Sequence, residues 1–172
     1  PRLAAKGDEP YVAQLNELVR RHHDLISQVI AADKRPQLLQ RVNALLDELR
    51  SILHGVCLIQ DLTPKTSDAI VAYGERISSE IVAQLITGAT HYDSRKFIKT
   101  EHKADKHLVD FNATNVLVKQ TFTSFNKGIA VMGGFIAKDV ETGITTNLGR
   151  GGSDYTAAIL AAALNAEALE IW

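Results

Sequence analysis

Leu148-Gly149-Arg150-Gly151-Gly152-Ser153-Asp154-Tyr155-Thr156 is the stretch on which the fold turns. It stands between a β-type run, Thr145 to Leu148, and an alanine-rich helical segment from about Tyr155 to Asn165. Glycines at 149, 151 and 152 let the backbone turn tightly and aim its N–H groups at a ligand. A helix beginning near Ser153 adds the positive end of its dipole, so strand, loop and helix together build an anion site. Arg150 supplies a planar fork suited to a carboxylate or phosphate. Asp154 places one negative charge in this positive setting, which suits a cationic group such as a lysine. The same residues also read as a plain glycine turn with Ser153 or Asp154 capping the helix. The loop is neither a Walker A motif, since Gly-Lys-Ser/Thr is missing, nor a Gly-x-Gly-x-x-Gly dinucleotide fingerprint.

Working outward, Ile129 to Ile136 is a β-rich run containing Gly133-Gly134, Glu141-Thr142-Gly143 is a turn, and Ala168 to Trp172 reads as a terminal strand. Upstream, the period changes from two to about 3.6. Val12, Leu15, Val19, His22, Ile26 and Val29 mark a helix after Pro10, and Leu38, Val42, Leu45, Leu49, Ile52 and Val56 mark another after Pro36. The short break between them predicts an antiparallel hairpin. A third helix starts at Thr63-Pro64 and carries Ile70, Gly74, Ile77, Ile81 and Leu85 up to Gly88. A fourth carries Phe111, Val118, Phe122 and Phe125, with Asp110 as its N-cap. The charged segment from Arg95 to Asp110 reads as a solvated loop. Helices followed by βαβ alternation predict a layered α/β fold with part of the sheet parallel.

Composition narrows the function. The chain has 172 residues, 45% of them hydrophobic and 23% charged, which is enough for a real core and excludes wholesale disorder. No apolar run approaches the ~20 residues of a membrane span. A net charge of −1, without a basic run interleaved with aromatics, argues against a nucleic-acid partner. The lone Cys57 cannot form an internal disulfide and predicts a buried, reduced thiol in a cytoplasmic protein. The six histidines set up no His-Glu-x-x-His or Cys/His pair and read as surface or helix-packing residues, so no metal ligand is assigned. Ser153 lacks a nucleophile-elbow context.

The loop, running on through Ala157-Ala158 and into Glu170-Ile171-Trp172, resembles the signature of aspartokinases in the amino acid kinase family. Three further segments agree in order: Ser67 to Ser79 with Tyr73-Gly74-Glu75-Arg76-Ile77-Ser78-Ser79, Asp93-Ser94-Arg95-Lys96-Phe97-Ile98-Lys99-Thr100, and Gly133-Gly134-Phe135-Ile136. The resemblance covers most of the chain from about Leu62 and extends to the kinase half of bifunctional aspartokinase/homoserine dehydrogenases. It implies a three-layer αβα sandwich of the carbamate kinase-like type, incomplete, with an N-terminal helical hairpin. One partial catalytic domain would then span 1–172, with a helical portion 1–60 and an α/β portion 61–172.

The implied reaction is phosphoryl transfer from ATP, with Mg2+, to the β-carboxylate of L-aspartate, in lysine, threonine and methionine synthesis. By resemblance, Arg150 grips the substrate α-carboxylate, Glu75 faces its α-amino group, and Phe135, Gly151 and Ser153 line the aspartate pocket. Asp154 matches the acidic residue near the catalytic lysine. One Arg and one Glu on separate elements are the pair a zwitterionic amino acid requires. Beside that reading, Glu75 next to Arg76 also reads as ordinary solvated helix surface. The family's Lys-Phe-Gly-Gly-Thr-Ser loop and its Thr-Asp-rich nucleotide stretch do not occur in these residues, so the chain alone is expected to be an inactive internal fragment of a homo-oligomeric, cytoplasmic parent. Two other readings stay open: a related kinase acting on another carboxylate or carbamate, and a helical interaction module without catalysis.

Overall fold

The computed structural model describes residues 1–7, 10–103, 106–125 and 128–172. They form two compact units, Pro1–Thr87 and Gly88–Trp172.

The first unit is helical: α1 (Arg2–Ala5), α2 (Pro10–Val29), α3 (Arg35–Ile59) and α4 (Pro64–Leu85). Asn16 on α2 accepts from Arg50 on α3, and further along α2 His23 bonds Asn43, so partner numbers fall as position rises and the two helices run antiparallel. Their shared core holds Leu15, Ile26, Leu38, Val42, Leu46, Leu49, Leu53 and Val56. The buried stripe of α3 thus centres on Leu46 and Leu53, while Leu45 and Ile52 pack at its margin. Helix α4 starts as its sequence predicts, with Thr63 Oγ1 accepting from Thr66 N–H at 3.1 Å. It buries Ile70, Tyr73, Ile77 and Ile81 in the same core. That burial puts the boundary between units at Thr87/Gly88, whereas the sequence reading divides its two portions at 60/61. Cys57 is a free thiol, partly buried against this core.

The second unit contains β1 (Ala89–Tyr92), β2 (Lys99–Lys103), β3 (Lys106–Val109), α5 (Phe111–Phe122), β4 (Ile129–Met132), β5 (Ile136–Asp139), β6 (Thr145–Asn147) and α6 (Gly152–Leu164). Strands β1 and β4 pair in parallel. A second, mixed sheet has the order β3-β2-β5-β6, with β2 and β5 parallel and both outer pairings antiparallel. Phe97, Ile98, Val118, Phe122, Ala137 and Ile159 form the core of this unit. Asp110 caps α5 as expected, its carboxylate accepting from Ala113 N–H at 2.9 Å. Phe111, however, lies exposed, and Thr114 joins Val118 and Phe122 on the buried side.

Three expectations are corrected. The run Ile129 to Ile136 is two strands, because Gly133 to Phe135 form a tight turn between β4 and β5. The described residues of Arg95 to Asp110, which leave out 104 and 105, form a short 3₁₀ turn and the antiparallel strands β2 and β3. Its strands are rich in Lys, Glu and His, and with only Thr100 and Val109 buried the alternation is too weak to read. Ala168 to Trp172 carries no strand and is exposed, since a strand exists only through pairing and no described strand pairs with it.

Candidate functional site

Two turns of the second unit are built against each other. One joins β4 to β5 through Gly133-Gly134-Phe135, and the other joins β6 to α6 through the glycine loop. The contact is reciprocal. A Cβ on Gly134 would lie 2.9 Å from the Ser153 Cα, and a Cβ on Gly152 would lie 2.9 Å from Phe135 Cδ2. Glycine is required at both positions by close approach of the opposite turn. The Phe135 N–H donates to Thr156 Oγ1 at 3.0 Å and more weakly to the Gly152 carbonyl at 3.3 Å, while the Phe135 carbonyl accepts from Leu148 N–H at 2.8 Å.

Phe135 itself has φ +69°, and Ile136 N–H reaches back to the Gly134 carbonyl at 2.7 Å. This is a γ-turn with a positive-φ centre, a rare and strained conformation for a residue with a side chain. Fully buried Ser94 holds it in place, its hydroxyl donating to the Gly133 carbonyl at 2.6 Å. Such strain persists only where surrounding structure over-determines it, and it concentrates at functional sites.

Helix α6 begins at Gly152, and its N-cap is Gly151 at φ +73°, with no side-chain capping bond. Ser153 and Asp154 are therefore not cap residues, which removes the plain-cap reading of the loop. Among the described residues no acceptor takes the Ser153 or Asp154 N–H, and the exposed Arg150 has no carboxylate partner. The loop offers one guanidinium and two free N–H donors at a helix N-terminus, the donor set of an anion site. Asp154, in the first turn, adds the single negative charge. The structure thus gathers Phe135, Arg150, Gly151, Ser153 and Asp154 into one pair of turns.

Glu75 lies on α4 of the first unit, half-buried. Its carboxylate has no hydrogen bond or ion pair among the described residues, and burial pushes its carboxyl above the ordinary value. The neighbouring Arg76 turns to Glu48 at 3.1 Å and stacks 4.4 Å from the Tyr73 ring centroid. Tyr73 also donates to Glu48 at 2.9 Å. Glu75 is neither a structural ion pair nor freely solvated surface, and Gly74 beside it is exposed rather than part of the buried stripe. Sequence reasoning missed Ser94 and Thr156, which hold the two turns; their only signal was inclusion in the motifs. Among the described residues no group of three or more His, Cys, Asp or Glu gathers to hold a metal, and no helix is long and apolar enough to cross a membrane.

Comparison with known proteins places these features in a family. The chain is 33% identical over 144 residues to the lysine-sensitive aspartokinase 3 of Escherichia coli (strain K12), covering 78% of this chain and 32% of that protein. It is 30% identical over 135 residues to the chloroplastic aspartokinase 1 of Arabidopsis thaliana, covering 74% of this chain and 24% of that one. The chain thus spans about a third or less of the length of these relatives. The crystal structure of E. coli aspartokinase III with aspartate and ADP superimposes with a TM-score of 0.85 at 28% identity, covering 98% of this chain and 38% of that one. The complex of the same enzyme with lysine and aspartate gives 0.86, covering 99% and 39%. The mixed α/β fold with N-terminal helices is the one its motifs imply. Matching the family model over residues 9–172, the chain belongs to the amino acid kinase family.

Proposed function

We propose that this chain supplies the aspartate side of an aspartate kinase site, in which an oxygen of the L-aspartate β-carboxylate attacks the ATP γ-phosphorus and the bond to the β–γ bridging oxygen breaks. The products are 4-phospho-L-aspartate and ADP, at the head of lysine, threonine and methionine synthesis. The observation that carries the reading is the reciprocal packing of the Phe135 turn on the glycine loop, which sets the backbone that carries Arg150 and the free N–H groups of Ser153 and Asp154.

Arg150 holds the α-carboxylate through two parallel N–H donors. Glu75 receives the α-ammonium, and its desolvated carboxylate gains from a cationic partner what burial takes from it. Phe135, Gly151 and Ser153 line the pocket. Asp154 orients the cationic group that meets the transferring phosphoryl, and positioning of this kind is most of what phosphoryl transfer needs. Mg2+ neutralises phosphate charge when bound with ATP; the described residues hold no cluster for it. The complex of E. coli aspartokinase III with aspartate and ADP supports the substrate pair. The same reading expects a cytoplasmic homo-oligomer.

The test is a titration of the chain with L-aspartate and with succinate, followed by amide and side-chain NMR. Aspartate is expected to shift the Arg150, Ser153 and Phe135 signals and to bind more tightly than succinate, with Glu75→Gln abolishing the difference. Equal binding of the two acids by the unaltered chain, or shifts confined to other residues, would overturn the assignment and favour an acceptor without an amino group.

A further inference from the structure

A polar row crosses the mixed sheet on the face opposite its buried threonines. Lys99 of β2 is the register partner of Lys138 of β5, and Lys138 that of Thr145 of β6. Because side chains alternate along a strand, these three share one face, while Thr100, Ala137, Asp139 and Thr146 share the other and are buried. The row lines a cavity of about 470 Å³, completed by the 3₁₀ turn that carries Asp93, Arg95 and Lys96. Four cationic side chains meet one carboxylate there.

Arg95 engages that carboxylate, with Nη2 2.6 Å and Nε 2.9 Å from the two Asp93 oxygens, and also donates to Thr145 Oγ1 at 3.2 Å. Those two charges offset one another, which leaves Lys96, Lys99 and Lys138. Lys99 Nζ is fixed in the cavity by donating to the Arg95 carbonyl at 2.9 Å. Burial, and then the Lys138 charge, hold its ammonium below the ordinary lysine value. Like charges directly opposite on neighbouring strands oppose folding. A fold that keeps two lysines side by side over a cavity is relieved when an anion lies between them.

We propose that this cavity is a second anion site, at the other end of β6 from the glycine loop, which takes a phosphate-bearing small molecule between Lys99 and Lys138 with Lys96 at the rim. Three ammonium groups exceed the charge of a single carboxylate and match a phosphate, and lysine binds phosphate as a point charge without the fork geometry a carboxylate favours. The volume falls in the range of small-molecule sites, about 300–1,000 Å³. The site is independent of the aspartate reading, since it shares no residue with it.

The experiment titrates inorganic pyrophosphate into the 172-residue chain at constant ionic strength, read by heat and by amide NMR, with chloride as the screening control. Saturable binding is expected, with shifts at Lys99, Lys138 and Thr145. Lys138→Gln should weaken it about tenfold or more, whereas Arg150→Ala should leave it within about twofold, the difference of a full contact being tenfold. Lys138 is exposed, so its variant keeps the fold, and its melting temperature without anion should be unchanged or higher because the repulsion is gone. Unaltered affinity in Lys99→Gln and Lys138→Gln, loss through Arg150→Ala instead, or an effect no larger than that of chloride would each overturn the proposal.

Discussion

Replacing Gly134 with alanine tests whether the two turns act as one unit. The added Cβ would sit 2.9 Å from Ser153 Cα, 3.1 Å from Ser153 Cβ and 3.3 Å from Ser153 Oγ, where ordinary contact begins at 3.4 Å. The first of these is backbone, so no side-chain rotation relieves it. The start of α6 must move away from the β4–β5 turn by about 0.5–1 Å, because close-packed interiors leave no void to absorb the methyl. Gly134 does not have positive φ, so the effect is steric rather than conformational. Overpacking of this kind costs about 1–3 kcal/mol, and the displacement carries Ser153 and the loop away from Phe135. Displacements near 1 Å at a positioned site cost on the order of 100-fold in rate. Hydrogen exchange should show faster opening of the α6 amides with the first unit unaffected, and aspartate affinity should fall at least tenfold. Full aspartate affinity together with unaltered exchange in α6 would refute the reasoning.

Other perturbations separate packing from charge. Gly55 lies inside α3, and a methyl added there would meet nothing within 4 Å, so Gly55→Ala should stabilise the first unit by about 0.5–1 kcal/mol in exchange or thermal unfolding. Asp139 Oδ1 accepts from Thr142 N–H and Oγ–H at 2.8 Å and from Glu141 N–H at 3.2 Å, which hold its carboxyl below the ordinary value. That stability is present above about pH 3.9, the unfolded carboxyl value, and is lost as pH falls through the lower folded value. Asp139→Ala should therefore cost about 2 kcal/mol at neutral pH, and the gap should close in acid. Glu75 carries the opposite sign. Burial raises its carboxyl, so its contribution is full below the unfolded value and is lost as pH rises through the folded one. Glu75→Gln should accordingly melt slightly higher than the unaltered chain at pH 7 and equally below about pH 4, in the absence of aspartate.

The helices were legible because apolar spacing and caps coincide. Thr63 and Asp110 cap as their types dictate, and the stripes of α2 to α4 meet in one core. The antiparallel pair β2–β3 was not legible, because Thr100 is the one buried side chain in β2 and Lys, Glu and His fill the rest. The Phe135 turn escaped for a different reason. A β-rich run with two glycines gives no sign that the residue after them adopts positive φ, since the conformation is imposed by Ser94 and Thr156 from distant elements. The glycine loop suggests an anion site from its own residues, whereas the roles proposed for Glu75 and Phe135 rest on the motif resemblance. The lysine row needed the register of three strands, which no local pattern encodes.

Arg150 carries the central claim, that the glycine loop binds the aspartate α-carboxylate. The most direct measurement is kcat/KM for aspartate and Kd for ATP in a catalytically active protein that includes these 172 residues, with and without Arg150→Ala. Loss of a charge-assisted contact, about 1.5–3 kcal/mol, predicts a fall of roughly 10- to 150-fold in aspartate kcat/KM, with ATP Kd unchanged. Lysine at the same position should restore only part of the loss, since it lacks the paired donors. Unchanged aspartate kcat/KM, or a loss that falls on ATP instead, would contradict the account.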